Sequence, residues 1–251
     1  MWHGVFAQDM ADSFVARHLM NRSEFFTATP LPSIAVSDPR FRDNGGNDWS
    51  GPPEGLTFQR AIRALESYGH HAEALLAGAR QRAALATTIT FPQQIDPFTS
   101  KPDPGDCYGP ALLSLLEYLA LSTGIAVRAE SATLLWSSVP LADTPPADFT
   151  FAQQLGANVF QLQGFANGTF AGSRNGAAVF SGAGAIRVVT DFEGAVTGVV
   201  GASAATEEVQ LLLPAAGAPL KMTVAPNEEW AVDSGGGAPT LIRKVPFVAP
   251  F

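Results

Sequence analysis

The 251-residue sequence predicts an α+β protein with helical hairpins in its N-terminal part and an antiparallel β-sandwich in its C-terminal part. Apolar residues recur at helical spacing in several segments before about residue 145. Beyond that point, short β-branched runs alternate with Gly, Asn and Pro, at the even spacing typical of an antiparallel sandwich. We therefore expect a helical domain over residues 1–145 and a β-domain over residues 146–251.

Four helices are expected in the N-terminal part, at about residues 8–22, 55–67, 71–85 and 109–123. In the second of them, Phe58, Ile62 and Leu65 form an apolar stripe that predicts a buried face. Gly69 and Gly124 are expected to end the second and the fourth helix, since glycine readily adopts the conformation of a helix C-cap.

Eight short segments of the C-terminal part are typical of strands: NVFQLQGF, GAAVFSG, AIRVVTDF, GAVTGVVG, EEVQLLLP, LKMTVAP, EEWAVD and TLIRKVPFV. The glycines of the segment SGAGAIRVV precede one of these strands. A dinucleotide-binding loop needs a helix at that position, so we interpret these glycines as a turn.

The charge balance restricts the class of partner. The formal net charge is −8 and the pI is about 4.9, whereas a nucleic-acid-binding surface needs a basic face. The most apolar segment, GPALLSLLEYLALSTGIAV, carries Glu117 in its middle and predicts no membrane span. The N-terminal residues lack the basic and apolar regions of a signal peptide, so we expect a soluble protein without such a signal.

Cysteine and histidine predict neither a disulfide framework nor a metal site. Cys107 is the single cysteine, which we interpret as a loop thiol, because no histidine pattern of a nucleophile accompanies it. The four histidines lack the spacing of metal ligands. His70 and His71 are expected to face solvent at a helix start.

The stretch NDWSGPPEGLTFQ contains a Trp, a Gly and two Pro residues that an ordinary helix start does not require. Trp49 stands beside Gly51 and Pro52 in a loop of restricted conformation. An aromatic plane in such a loop can stack on the C–H face of a sugar ring. The alternative is that Trp49 only covers the end of the helix, and the residues alone leave both interpretations open.

A second stretch, FPQQIDPFTSKPDPGDCYGP, contains a turn that begins at Asp96-Pro97 and continues through Thr99. Asp96 has two interpretations. It is either a carboxylate of a functional site or a side chain that caps its own turn.

These two stretches, followed by YGPALLSLLEYLALSTGI, resemble the C-terminal half of the catalytic domain of six-hairpin glycosidases. The likeness is to the processing α-glucosidase and mannosylglycerate hydrolase group and covers about residues 1–140. It implies part of an (α/α)6 barrel and hydrolysis of an α-glycosidic bond with inversion, for which no metal or organic cofactor is expected. The implied partners are a carbohydrate substrate and the N-terminal half of the barrel, which carries the family's general acid. The β-rich remainder is similar to an accessory domain of such enzymes.

The resemblance also implies roles for individual residues. Gln93 occupies the position of the family's general base, although an amide cannot accept a proton from water at a useful rate. Glu54 and Asp96 are the nearest carboxyl groups, and an inverting glycosidase needs two carboxyl groups roughly 6.5 to 9.5 Å apart. Trp49 is expected to stack on the sugar. Asn47 and Tyr108 are expected to contact it as well.

Three interpretations of function remain open at this point. The chain is a glycoside hydrolase-like protein, a non-catalytic carbohydrate-binding or structural remnant of such an enzyme, or a fragment that is active only when whole. Because the base position carries Gln93, we expect the chain alone to bind sugar weakly and to hydrolyse no glycoside at an enzyme-like rate.

Overall fold

The computed structural model describes residues 1, 4–44, 49, 51–86, 90–103, 107–141 and 145–251. The chain divides into two compact units. The helical unit comprises Met1–Tyr118 and Pro246–Phe251, and the β-unit comprises Leu119–Val245. Within the described residues there are four α-helices and two six-stranded antiparallel sheets. The protein is therefore of mixed α and β class, and its C-terminal part is rich in strands.

The helices are α1 (Gln8–Phe14), α2 (Gly55–Ser67), α3 (His71–Leu85) and α4 (Gly109–Thr123). The predicted bounds of the last three are confirmed. The first helix is shorter than expected, because it continues as a π-helical turn over Val15–Leu19. Their closure into an (α/α)6 barrel stays a prediction.

Helix α2 buries the stripe that its sequence predicts. Phe58, Ile62 and Leu65 are at most 1% exposed. The helix ends before Gly69, which has a φ of 80° as expected for the residue after a helix end. At its start, a Cβ on Gly55 would lie 2.5 Å from the amide nitrogen of Ala111. The residue after Glu54 must therefore be glycine for α2 to begin this close to α4.

The expectation that His70 and His71 face solvent is wrong. Both are buried, and His70 is wholly inaccessible. Its Nε2 atom lies 3.1 Å from Asp12 Oδ1, and its Nδ1 atom lies 3.5 Å from Glu73 Oε1. The contact with Asp12 is a hydrogen bond, of the kind that a buried polar group needs, whereas Nδ1 has no hydrogen-bond partner among the described residues. The partner Asp12 lies on another helix, so the local pattern around residue 70 could not reveal it.

The C-terminal residues belong to the helical unit because their backbone bonds to it. The backbone N–H of Val248 donates to Glu73 Oε1 over 2.8 Å. The N–H of Phe251 donates to the carbonyl of Met20, and its carbonyl accepts from the N–H of Arg22.

The first sheet has the strand order β1-β2-β7-β8-β11-β12 and the second the order β10-β9-β6-β5-β4-β3, and all named pairs are antiparallel. The strands are β1 (Ile125–Arg128), β2 (Thr133–Ser137), β3 (Phe149–Leu155), β4 (Asn158–Gly164), β5 (Thr169–Arg174), β6 (Ala177–Ala183), β7 (Arg187–Asp191), β8 (Val196–Val200), β9 (Glu207–Leu212), β10 (Leu220–Val224), β11 (Glu228–Ala231) and β12 (Thr240–Lys244).

One buried apolar cluster receives side chains from both sheets. At its centre, Trp136 of β2 contacts the rings of Phe160 and Phe180 edge-on, at centroid distances of 5.9 and 5.2 Å. Its indole N–H donates to Thr190 Oγ1 over 2.8 Å, so the one polar atom of the ring is satisfied.

All eight predicted segments contain a strand, and the structure adds β1, β2, β3 and β5. Strands β1 and β2 lie before residue 145, in the region where we expected helices. Each is four or five residues long and follows α4 without a long break. Runs this short are ambiguous between helix and strand when periodicity is the only criterion.

Candidate functional site

Short backbone pairings between loops of the helical unit hold the predicted site in place. Glu54, directly before α2, forms an isolated antiparallel bridge with Gln94, and Ile95 forms another with Pro102. The N–H of Asp103 donates to the carbonyl of Gln94 over 3.0 Å. The residue before α2 and two neighbouring segments about forty residues later are therefore fixed side by side at the start of α2.

Glu54 is a buried carboxyl group that does not cap its own helix. It occupies the N-cap position of α2 without a side-chain capping bond, and it is 1% exposed. Its Oε1 atom instead accepts a hydrogen bond from Gln94 Nε2 over 3.0 Å. Within the described part of the chain, its buried Oε2 atom has no hydrogen-bond partner.

This environment changes the acidity of Glu54. Burial raises the pKa of the carboxyl group from its ordinary value of 4.5 to about 7, and the hydrogen bond from Gln94 offsets only part of this effect. Loss of hydration destabilises a carboxylate relative to the neutral acid. Near neutral pH, Glu54 therefore holds a proton for a substantial part of the time.

Asp96 has the opposite electrostatic character. Its Oδ1 atom accepts hydrogen bonds from the N–H groups of Phe98 and Thr99, over 2.7 and 2.9 Å. Burial tends to raise the pKa of Asp96, but these hydrogen bonds and the ammonium group of Lys101 outweigh it and lower the pKa. Asp96 thus caps its own turn and stays ionised at neutral pH.

The side chains around Asp96 form a small polar cavity of about 210 Å³, here called the acidic pocket. Burial and the nearby charge of Asp96 raise the pKa of the Asp43 carboxyl group. Gln94 belongs both to the wall of the pocket and to the hydrogen bond with Glu54. The residues that line the pocket are Asp43, Pro52, Gln94, Asp96, Lys101, Pro102 and Asp103.

One of the six predicted site residues, Asp96, lines the acidic pocket. A second, Glu54, is linked to the pocket by its hydrogen bond with the lining residue Gln94. The glutamine that lines it is Gln94, whereas Gln93 is half-buried. The roles assigned to Gln93 and to the remaining residues stay predictions.

The predicted sugar contacts lie at or near the described loops. Trp49 is 43% exposed and has a φ of 53°. Tyr108 is half-buried, and its backbone N–H donates to the carbonyl of Phe91 over 2.7 Å. Asn47 lies outside the described residues. The role of these three residues as sugar contacts stays a prediction.

An aromatic side chain that the sequence analysis did not single out is close in sequence to the pocket residue Asp96, although its ring lines a different cavity. Phe98 follows Asp96 by two residues, is 54% exposed and packs edge-on against Phe41, with ring centroids 5.9 Å apart. It presents a ring that can stack on a ligand. The missed pocket residues Lys101 and Asp103 are two apart, and in extended chain such residues point to the same side. That spacing was the signal that could have identified them.

Among the described side chains, no group of three or more His, Cys, Asp or Glu is arranged to hold a metal ion. Cys107 is exposed as a free thiol. In the described part of the chain, no helix is long and apolar enough to cross a membrane.

Comparison with known proteins gives only partial similarity. No protein-family model and no curated protein sequence matches the chain. Two solved structures from Thermus thermophilus are similar to part of it, an uncharacterized conserved protein and a GH63 mannosylglycerate hydrolase in complex with glucose. For each, the sequence identity is 24% and the TM-score is 0.39, and the match covers 48% of this chain and 28% of the other. The match thus spans less than a third of the length of those proteins.

Proposed function

We propose that this chain is a glycoside hydrolase-like protein whose acidic pocket binds one sugar ring of an α-glycosidic substrate. The observation that carries the proposal is the composition of the pocket. Three carboxyl groups accept hydrogen bonds from sugar hydroxyls, and the Lys101 ammonium and the Gln94 amide donate to them. A volume of about 210 Å³ lies below the roughly 300–1,000 Å³ of sites for larger ligands, which favours a single ring.

An exposed aromatic residue whose backbone N–H donates to Asp96 supports a sugar over a simple ion. Phe98 offers a face for the C–H side of a pyranose, and Trp49 offers a second one in the sequence motif that suggested carbohydrate binding. Acidic walls disfavour phosphate and other anions, in agreement with the formal net charge of −8.

On this proposal, the chain alone binds sugar without hydrolysing a glycoside. Inversion needs one carboxyl group to protonate the leaving oxygen and another to activate a water. Gln93 stands where the resemblance places the base. Further helical hairpins that complete the barrel would supply the missing group, and the exposed face of α4 formed by Leu112, Leu113 and Leu116 supports such a partner.

Hydrolysis by the chain itself is a second candidate function, and one observation favours it. Glu54 has a pKa of about 7, whereas the pKa of Asp96 is lowered. Two carboxyl groups whose environments separate their pKa values in this way are typical of an acid and base pair. In this case Glu54 would donate the proton, after a movement of its loop that exposes it.

Sugar titrations of the purified chain test the proposal. Asp103→Asn and Asp43→Asn should each weaken the binding of glucose or mannose by about tenfold, because each removes a charged hydrogen-bond acceptor. Asp9→Asn, at an exposed position on α1, is the matched control and should bind like the wild type. Equal affinities for all four proteins, or no sugar binding at all, would refute the proposal.

An activity assay separates the two candidates. We expect no turnover of α-glucosides, trehalose or mannosylglycerate by the wild-type chain. Turnover that disappears in Glu54→Gln but persists in Asp9→Asn would instead establish hydrolysis with Glu54 as the acid.

A further inference from the structure

A larger cavity than the acidic pocket lies within the β-unit, at the ends of β3, β4 and β5 and far along the sequence from the acidic pocket. Its volume is about 680 Å³, within the roughly 300–1,000 Å³ that is usual for ligand sites. Its wall includes Pro140, Pro146, Asp148, Phe149, Phe165 and Asn167. All of these residues belong to the β-unit.

Hydrogen bonds hold one side of this cavity, the turn between β4 and β5. The turn between β4 and β5 is closed by hydrogen bonds from Phe165 N–H to the carbonyl of Thr169 and from Gly168 N–H to the carbonyl of Phe165, each over 2.9 Å. Asp148 Oδ1 accepts from the N–H of Ala166 over 2.8 Å, which ties this turn to the chain before β3. A turn held in this way loses little conformational freedom when a ligand binds.

The chemistry of the wall selects a class of ligand. Phe165 is 44% exposed and offers an aromatic face, and the proline rings add apolar surface. Asn167 Oδ1 accepts from the N–H and the hydroxyl of Thr169, so the amide NH₂ of Asn167 points its donors away from that turn. Asp148 uses Oδ1 for Ala166, and its other oxygen is a second acceptor.

The charge of the wall restricts the class of ligand further. Asp148 is the only charged residue among the described residues of this wall, and its charge is negative. Anionic ligands are therefore disfavoured. A ligand that combines an apolar face with hydroxyl groups satisfies the aromatic ring, the carboxylate and the amide together, and a neutral sugar has this combination.

We infer that this cavity is a second carbohydrate site, which binds a neutral oligosaccharide independently of the acidic pocket. Its volume is roughly three times that of the acidic pocket, 680 against 210 Å³. It therefore holds more than one ring where the acidic pocket holds one. Phe165 stacks on a ring, Asp148 accepts from its hydroxyls and Asn167 donates to them.

Titration of the full chain with maltotriose, followed by NMR of the backbone amides, tests the inference. Saturable shifts are expected at Phe165, Ala166 and Asn167. Phe165→Ala should weaken binding at these amides by about tenfold, as expected for loss of an aromatic contact. Asp148→Asn keeps Oδ1 for Ala166 and should weaken binding less. Ile242→Ala, at an exposed position of β12, is the control and should leave the affinity unchanged.

The outcomes distinguish this site from the acidic pocket. A tenfold loss in Phe165→Ala, with no change at these amides in Asp103→Asn, supports the second site whether or not the acidic pocket binds sugar. Unchanged affinity in Phe165→Ala, or shifts confined to the acidic pocket, overturns it. Tighter binding of glucuronate than of maltotriose at these amides would also overturn it, because the inferred site disfavours anions.

Discussion

Replacement of Glu54 by glutamine should remove a pH dependence from the stability of the helical unit. In the folded protein, burial raises the pKa of Glu54 from 4.5 to about 7. Between these two values the folded state holds a proton that the unfolded state has released. The free energy of unfolding therefore falls as the pH rises through this window. Below pH 4.5, Glu54 is protonated in both states and does not make the stability depend on pH.

The size of the effect follows from the two pKa values. One pKa unit corresponds to about 1.4 kcal/mol, so the rise from 4.5 to about 7 corresponds to a loss of roughly 3 kcal/mol above pH 7. A glutamine at position 54 is neutral at every pH. Its carbonyl oxygen can still accept from Gln94 Nε2, so the variant keeps the bond of the wild type while losing the ionisation.

Urea denaturation at a series of pH values from below 4.5 to well above 7 measures the effect. Far-UV circular dichroism follows the helices. Glu54→Gln should become more stable than the wild type by about 3 kcal/mol on the alkaline side, relative to their difference on the acid side. Asp9→Asn, which alters an exposed carboxyl group on α1, should run parallel to the wild type. Parallel curves for Glu54→Gln and the wild type would refute the assigned environment of Glu54.

Packing in each unit gives two further predictions. A Cβ at Gly78 would lie 2.1 Å from the buried ring of Tyr118, so Gly78→Ala should destabilise the helical unit by about 1–2 kcal/mol although alanine has the better helix propensity. Gly109→Ala is the control, because open space surrounds Gly109, and it should not destabilise the unit. Equal melting temperatures of the two variants would contradict this packing. Trp136→Ala should destabilise the β-unit by about 3–5 kcal/mol in urea titrations followed by near-UV dichroism, and a loss below about 1 kcal/mol would mean that Trp136 is not central to the core.

Local pattern was sufficient for most elements and insufficient for the site. The bounds of α2, α3 and α4 follow from periodicity, and those of α2 and α4 also from the glycines after them, which are properties of neighbouring residues. Glu54 and Asp96 were identified as carboxyl groups near one helix start, yet their opposite acidities depend on contacts. Gln94 was not predicted as a site residue, because the resemblance assigns the base position to Gln93. Only the bridge to Glu54 shows which of the two glutamines contacts that carboxyl group.

The sequence by itself determined the mixed α and β class, the helices and the acidic charge, because these depend on composition and on spacings of a few residues. Only the tertiary structure decided that Glu54 is buried against Gln94, forty residues away, and that Asp43 and Asp103 share a pocket with Asp96. It also decided that His70 is buried and that β1 and β2 join the first sheet. Burial and ionisation depend on contacts between residues that are far apart in the sequence, and a local sequence pattern does not specify those contacts.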